Sequence, residues 1–337
     1  MFKIRKRIRN YFNRQAIILM YHRIASSAID PWELAVDANN FEQHLQVLKK
    51  KYVVEPLPNL VEQLNKKKIR KKSIAITFDD GYADNYFIAK PLLEKYNLPA
   101  TFFITSKNID LQKEFWWDEL AKILLLTTEL PQTLSLEING HPFFYDLAKE
   151  TLLTEELLNK HKNFIAYNPE TLRSGLYYKL WEYFTPMPVH EQLQLIEQIR
   201  TWAGVAEVAR PEYCCMSSHQ IEEMFANSLF EIGGHTMSHP ALPYHGKEIQ
   251  HEEILRNKIL LENITGKKIN LFAYPSGKHN NSTVEILKQL YFEGAFTTEA
   301  DIIKKDSDAF TLGRFQVNNW GGNKFERMLS KWSDDKN

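Results

Sequence analysis

Short apolar runs alternate with helix-period stretches over most of the 337 residues. Ile17 to Tyr21 is a continuous apolar run, brief and followed by polar residues, which suits a buried strand better than a helix. From Asn39 to Lys51, Phe41, Leu45 and Leu48 mark one face of a helix. Val53-Val54 and the Pro56/Pro58 pair open the next unit, where Leu60, Val61 and Leu64 predict a short helix. Ser73 to Phe78 reads as a second buried strand, halted by Asp79-Asp80-Gly81. Helix follows to about Tyr96, then Pro99 and a third strand from Ala100 to Ile104. Later the pattern predicts a strand at Phe230 to Ile232 and a long helix from about Lys247 to Asn263 closed by Gly266. It continues with a strand at Leu271 to Tyr274, helix at Val284 to Tyr291 and strand at Ala295 to Thr298. Alternation of this kind predicts an α/β fold, a parallel sheet or barrel with helices outside.

The rhythm breaks between about Asp110 and Met216. Leu120 to Leu126 is strongly helical, Leu134 to Tyr145 reads as a hairpin around Asn139-Gly140, and the rest to Trp202 is helical and aromatic. No Gly/Ser/Pro-rich linker flanks this stretch, so it reads as a mainly helical insertion within one domain. The expected organisation is a basic segment over 1–15, an α/β domain over 16–325 with an insertion at about 110–216, and a tail over 326–337.

Composition narrows the function. With 44% hydrophobic and 25% charged residues the chain can bury a sizeable core, and Lys+Arg 42 balances Asp+Glu 42, which argues against nucleic acid as a partner. The adjacent Cys214 and Cys215 suit a reducing compartment, since neighbouring cysteines close only a strained ring. Ala16 to Met20 is too short for a signal segment or a membrane span, so the expected location is cytoplasmic. Phe2, Ile4, Ile8 and Phe12, spaced among cations, would allow peripheral contact with the inner face of a membrane; a frayed terminus is the alternative.

Two motifs carry chemistry. Thr77-Phe78-Asp79-Asp80-Gly81 ends a predicted strand, and its two carboxylates serve one site only if the chain turns there, which Gly81 permits. A helix N-cap is the plainer reading of either acid alone. In Gly233-Gly234-His235-Thr236-Met237-Ser238-His239-Pro240, the two histidines converge on one metal if the residues between them form a single helical turn. Both motifs follow apolar strands, at the edge where α/β folds place their chemistry. Two imidazoles and one carboxylate match a catalytic site for one divalent ion, zinc first, with cobalt, nickel or iron also accepted.

These residues resemble the polysaccharide deacetylase family, also called the NodB-homology domain or carbohydrate esterase family 4. The resemblance rests on Thr77 to Gly81, His235 to Pro240 and the loop Phe272-Ala273-Tyr274-Pro275-Ser276-Gly277. It implies a distorted (β/α)7-like barrel that removes acetyl groups from sugars, with Asp79 as general base and Asp80, His235 and His239 as metal ligands. Tyr274, Pro275 and Ser276 match the loop that supplies a backbone donor to the oxyanion.

Two positions depart from the family pattern. Ala273 stands where many members carry an arginine that orients the base, and Arg314 is the candidate replacement. No histidine follows His279 to match the usual late general acid, so His22, directly after the first strand, is the candidate for an active-site role. Trp116 and Trp117, and with them Tyr244 and His245, are candidates for the substrate cleft, with core packing as the plainer reading. The expected activity is metal-dependent removal of an N-acetyl group from a sugar, a polysaccharide or a lipid- or nucleotide-linked intermediate. A deformylase of a lipid-carried formamido sugar is the close alternative, and a glycan-binding protein without turnover the distant one. No Gly-x-Ser-x-Gly elbow points to serine chemistry.

Overall fold

A computed structural model describes residues 15–334. The amphipathic spacing of Phe2 to Phe12 lies outside the described residues. The chain forms two compact units: the first comprises the chain up to Ser26, Ala35–Ile109 and the chain from Met216 on, and the second Ser27–Leu34 with Asp110–Cys215.

Six parallel strands form the main run of the first unit's sheet: β1 (Gln15–Tyr21), β2 (Ser73–Phe78), β3 (Ala100–Ile104), β4 (Phe230–Gly234), β5 (Leu271–Ala273) and β6 (Gly294–Phe296). Each pairs with the next in chain order. Their apolar side chains alternate between two packing layers, as the pleat requires. Leu19, Tyr21, Ile76 and Phe78 join Phe41, Leu45 and Leu48 of the helix Ala38–Lys51. Ile18, Ala75 and Phe103 face the other way, with Leu57, Leu60 and Leu64 of the helix Leu57–Asn65. Both faces are covered, and this is why β1 and β2 read as unbroken apolar runs.

Beyond β6 the chain turns back on the sheet. Ile303–Lys304 pairs antiparallel with the start of β1, Leu312 bonds Ala295 of β6 (3.0 Å), and Phe315–Gln316 runs parallel to Leu19 and Met20. The curled sheet is therefore a distorted (β/α)7-like barrel whose last sector is irregular chain. Strand registry decides where the connecting loops leave it: Tyr21, Phe78, Phe102 and Ile232 lie side by side across four strands. Residues just past β1, β2 and β4 accordingly emerge at one edge.

The second unit has its own core, in which Leu120, Leu124, Leu134, Leu176, Leu180 and Phe184 pack together. Its hairpin, Thr133–Ile138 with His141–Asp146, turns at Asn139 (φ 54°) and Gly140 (φ 75°), the left-handed pair that Asn-Gly favours. Ser27–Leu34 joins this unit although nothing in its composition marks it. Trp32 donates to the Tyr177 hydroxyl (2.9 Å), and Pro31 accepts from the Ala166 N–H (2.8 Å).

The expected tail over 326–337 is corrected: Gly322–Asp334 is a helix. Phe325 and Leu329, one turn apart, are fully buried in the barrel's core, and Trp332 stacks on Phe315 at 4.6 Å. Charges at Lys324, Glu326, Arg327 and Lys331 hide the stripe from a composition-based reading. Leu329→Ala should cost about 2–5 kcal/mol of stability through the cavity it opens, measured by urea unfolding; an unchanged midpoint would show that the helix does not hold the barrel.

Candidate metal centre

The two acids follow β2 directly. Asp79 continues the strand, its N–H bonded to the Tyr21 carbonyl at 3.0 Å. Asp80 (φ 70°) and Gly81 (φ 85°) then turn the chain through the left-handed region, which Asp tolerates better than most residues. A Cβ on Gly81 would lie 2.9 Å from the Ile104 side chain. Asp79 and Asp80 end up 1% and 3% exposed, so neither is a solvated cap.

His235 follows β4, and the expected single helical turn to His239 is not what forms. Thr236 (φ 66°) and His239 (φ 60°) both sit in the left-handed region, an outlying conformation for a β-branched residue. A network holds the bend in place. The Thr236 hydroxyl accepts from the His239 N–H (3.0 Å), and the Thr236 carbonyl accepts from the Ser106 N–H (3.2 Å). Glu253 accepts from the Ser238 N–H and hydroxyl (2.9 and 2.5 Å), and Asn257 accepts from the His235 N–H (3.1 Å) while donating to the Ile104 carbonyl (2.9 Å).

Glu253 and Asn257 lie one turn apart on the helix Lys247–Thr265. Sequence reasoning missed both. The available signal was Asn257, a polar residue on the buried stripe of Ile254 and Leu261.

These two turns bring the three candidate ligands together. Asp80 Oδ1 lies 3.4 Å from His235 Nε2 and 3.5 Å from His239 Nε2, and all three atoms fall within 4.8 Å of one another. His235 Nδ1 stands 2.8 Å from the Ala273 carbonyl; donating there leaves the Nε2 lone pair facing Asp80. Asp80 Oδ1 is buried without a hydrogen bond, which an oxygen reserved for a cation explains. The set of two nitrogens and one oxygen fits one divalent ion with positions open to water and substrate.

Asp79 is held differently. Arg314, fully buried, donates Nη1 to Asp79 Oδ1 and Nη2 to Oδ2, each at 2.6 Å. The guanidinium is itself fixed by the Thr297 carbonyl (3.0 Å) and the Thr77 hydroxyl (3.2 Å).

Burial by itself would raise the Asp79 carboxyl, but the Arg314 charge, with His235 and His22, outweighs it and holds the group below the usual carboxylate range. Burial opposes ionisation of Asp80 as well, and His235 and His239 beside it push it far down. His235 is raised: burial works against its charged form, but Asp80 and Asp79 prevail. For His239 burial wins, lowering it to about 4 and leaving the imidazole neutral.

The model of the family described as polysaccharide deacetylase matches residues 66–125 and 199–295. Those two stretches are similar to that family, and together they make up less than half of the chain. YxkH of Bacillus subtilis, which carries the polysaccharide deacetylase name, is 30% identical over 170 residues, 47% of this chain and 60% of that protein. The poly-β-1,6-N-acetyl-D-glucosamine N-deacetylase of Staphylococcus epidermidis is 23% identical over 125 residues, 35% of this chain and 42% of that protein. The chain thus spans about 60% or less of the length of these curated relatives. Among solved structures, IcaB from Ammonifex degensii matches with a TM-score of 0.59 at 19% identity, over 95% of this chain and 97% of that one.

The remaining candidates fall into different places. His22 Nδ1 is buried with no hydrogen bond, and its backbone carbonyl is held by Asn85 Nδ2 (2.9 Å); its charge reaches Asp79, Asp80 and His239. Tyr274 is corrected. Its hydroxyl donates to the Phe310 carbonyl (2.8 Å), its N–H goes to the Phe296 carbonyl, and its ring packs in the core, so no group of it is left for an oxyanion. Pro275 has no N–H, which leaves Ser276, exposed and left-handed at φ 53°, as the donor that the loop can offer.

Trp116 and Trp117 belong to the second unit and pack there, Trp116 on Phe184 (4.8 Å) and Trp117 on Phe115 (4.4 Å). Tyr244 sits beside the Lys278 ammonium (3.2 Å), and His245 is buried with Nε2 unbonded.

The Arg314–Asp79 pair sets a pH dependence. Because the folded carboxyl is depressed, its stabilising contribution is present above the unfolded pKa of Asp and is lost as pH falls towards the folded value. Arg314→Met strands a buried carboxylate, an effect on the order of 3–5 kcal/mol. Without the guanidinium, burial pushes the stranded carboxyl up, so it takes on a proton as pH falls and the penalty shrinks. Chemical denaturation of this variant between pH 4 and 8 should show lower stability, with the loss greatest at pH 8; an equal loss across that range would mean that burial does not govern this carboxyl.

Proposed function

We propose that this chain hydrolyses the N-acetyl amide of a hexosamine unit in a glycan, using a divalent ion held by Asp80, His235 and His239 and Asp79 as general base. The observation that carries the reading is the division of labour between two adjacent buried carboxylates. One is saturated by a guanidinium, and the other has an oxygen left bare beside two imidazoles. A binding protein would have no use for the first. The activity named for the Staphylococcus epidermidis relative, N-deacetylation of poly-N-acetylglucosamine, supports the substrate class.

A divalent ion in this site supplies Lewis acidity, bringing the pKa of water from about 15.7 to near 7 and polarising an acyl carbonyl. Zinc suits the ligand set first, with cobalt, nickel and iron accepted. The residues do the rest. Arg314 fixes the plane of the Asp79 carboxylate while each oxygen keeps a lone pair able to take a proton. So depressed a base is weak towards ordinary water, and Asp79 would take the proton only of a water that such an ion acidifies. The Ser276 N–H is the donor this loop can offer to a developing oxyanion, and His22, with Nδ1 free, is the group to protonate the departing amine.

Purified protein given N-acetylglucosamine oligomers should release acetate in step with its bound metal. Formate release from N-formyl sugars alone would overturn the acetyl assignment. Asp79→Asn should keep its metal by elemental analysis and lose at least about 10²-fold in turnover, whereas Asp80→Ala, His235→Ala and His239→Ala should lose the metal; unchanged metal content in those three would sink the site. His22→Ala should slow amide substrates far more than an acetyl ester with a good leaving group, which needs no protonation. Equal slowing of both would remove His22 as the acid.

A further inference from the structure

The second unit carries a groove that the hydrolytic chemistry does not use. It lies along the helix Val189–Ala203, beside the first strand of the hairpin, and its volume is about 530 Å³, within the roughly 300–1,000 Å³ of ordinary ligand sites. The helix turns Leu195, Ile196 and Ile199 into the core and Gln194, Glu197, Gln198 and Thr201 into the groove. Trp202, Ser135 and Leu136 complete the lining. The indole is anchored: its Nε1 donates to the Thr133 carbonyl (2.7 Å) and its ring rests on the unit's core. A fixed ring costs little entropy when something stacks on it.

The polar lining is unspent. Gln194, Gln198, Thr201 and Ser135 make no side-chain hydrogen bond among the described residues. Two planar amides and two hydroxyls, each able to donate and accept, around one aromatic plate suit the hydroxyl edges and apolar face of a pyranose. Among the described residues that line the groove Glu197 alone is charged, so its field selects a cation.

We infer that this groove binds a short hexosamine segment and prefers units whose nitrogen is a free ammonium, the product form of the reaction, to N-acetylated ones. The inference rests on the carbohydrate reading of the metal centre. A groove that retains deacetylated units holds a polymer to the protein between turnovers.

Calorimetric titration of the full chain with a β-linked glucosamine tetramer tests this, with the N-acetylglucosamine tetramer titrated in an Asp79→Asn background. The glucosamine tetramer should bind more tightly. Trp202→Ala should weaken both probes about tenfold, and Glu197→Gln should weaken the glucosamine tetramer about three- to fivefold at low salt and leave the acetylated one unchanged. Because Trp202 touches the core, Gln194→Ala/Gln198→Ala, a change of exposed side chains, is the companion variant and should also weaken both.

Wild-type affinity in the Glu197 and Gln194/Gln198 variants, or binding lost in Asp80→Ala instead, would overturn the groove. Acetate assays separate the two readings. Groove-dependent binding without acetate release leaves the groove and removes the deacetylase; acetate release with binding indifferent to the groove variants does the reverse.

Discussion

Two carboxylates side by side in a dry environment repel one another, and neither can ionise there without positive charge supplied at short range. At the end of the strand Ser73–Phe78 this demand is met twice, in different ways. Asp79 receives a planar guanidinium on both oxygens, and Asp80 receives two imidazoles and keeps one oxygen without a donor. The same residue type therefore meets two environments. The carboxylate paired with the guanidinium is fixed in its plane, while the one with an unsatisfied oxygen is open to a cation.

Meeting the demand depends on the registry of the barrel. Parallel strands in aligned register release Asp79 and His235 at one edge, and the irregular return past β6 brings Arg314 to Asp79 across 235 residues of sequence. The loops that carry the ligands are bent through left-handed positions at Asp80, Thr236 and His239. Such conformations cost on the order of 1–3 kcal/mol each and persist only where the surroundings over-determine them. Glu253, Asn257 and Ser106 supply that determination from a helix and a neighbouring strand end.

The second unit is built on a different plan, around its own apolar cluster and around Arg173, whose fully buried guanidinium satisfies the carbonyls of Thr127, Glu150 and Thr151. Among the described residues it has no parallel sheet and contributes none of the clustered ligands. Its polar groove, lined along one helix face, is the feature from which we infer glycan binding by this unit.

Much of this was legible along the chain. Strands buried on both faces appear as short apolar runs, Asn139-Gly140 names its own turn, and the Asp-Asp-Gly and His-x-x-x-His groups sit where those runs stop. Each depends on chemistry within a few residues, which sequence order preserves. What the chain order could not show is what depends on distant pairing. The arc from His235 to His239 is a strained bend held by Glu253 and Asn257 instead of a helical turn. Tyr274 is consumed by Phe310 and Phe296, and the segment after Glu326 is drawn into the core by an apolar stripe among charges. Arg314, the candidate to stand in for Ala273, does reach Asp79, but only because the fold closes 235 residues of chain, and the Ala273 carbonyl became the partner of His235. Residue types and their local spacing determined which groups could do chemistry. Only the tertiary structure decided which of them meet, because a buried charge is stabilised by whatever neighbour the fold brings within about 3 Å, wherever that neighbour lies in the sequence.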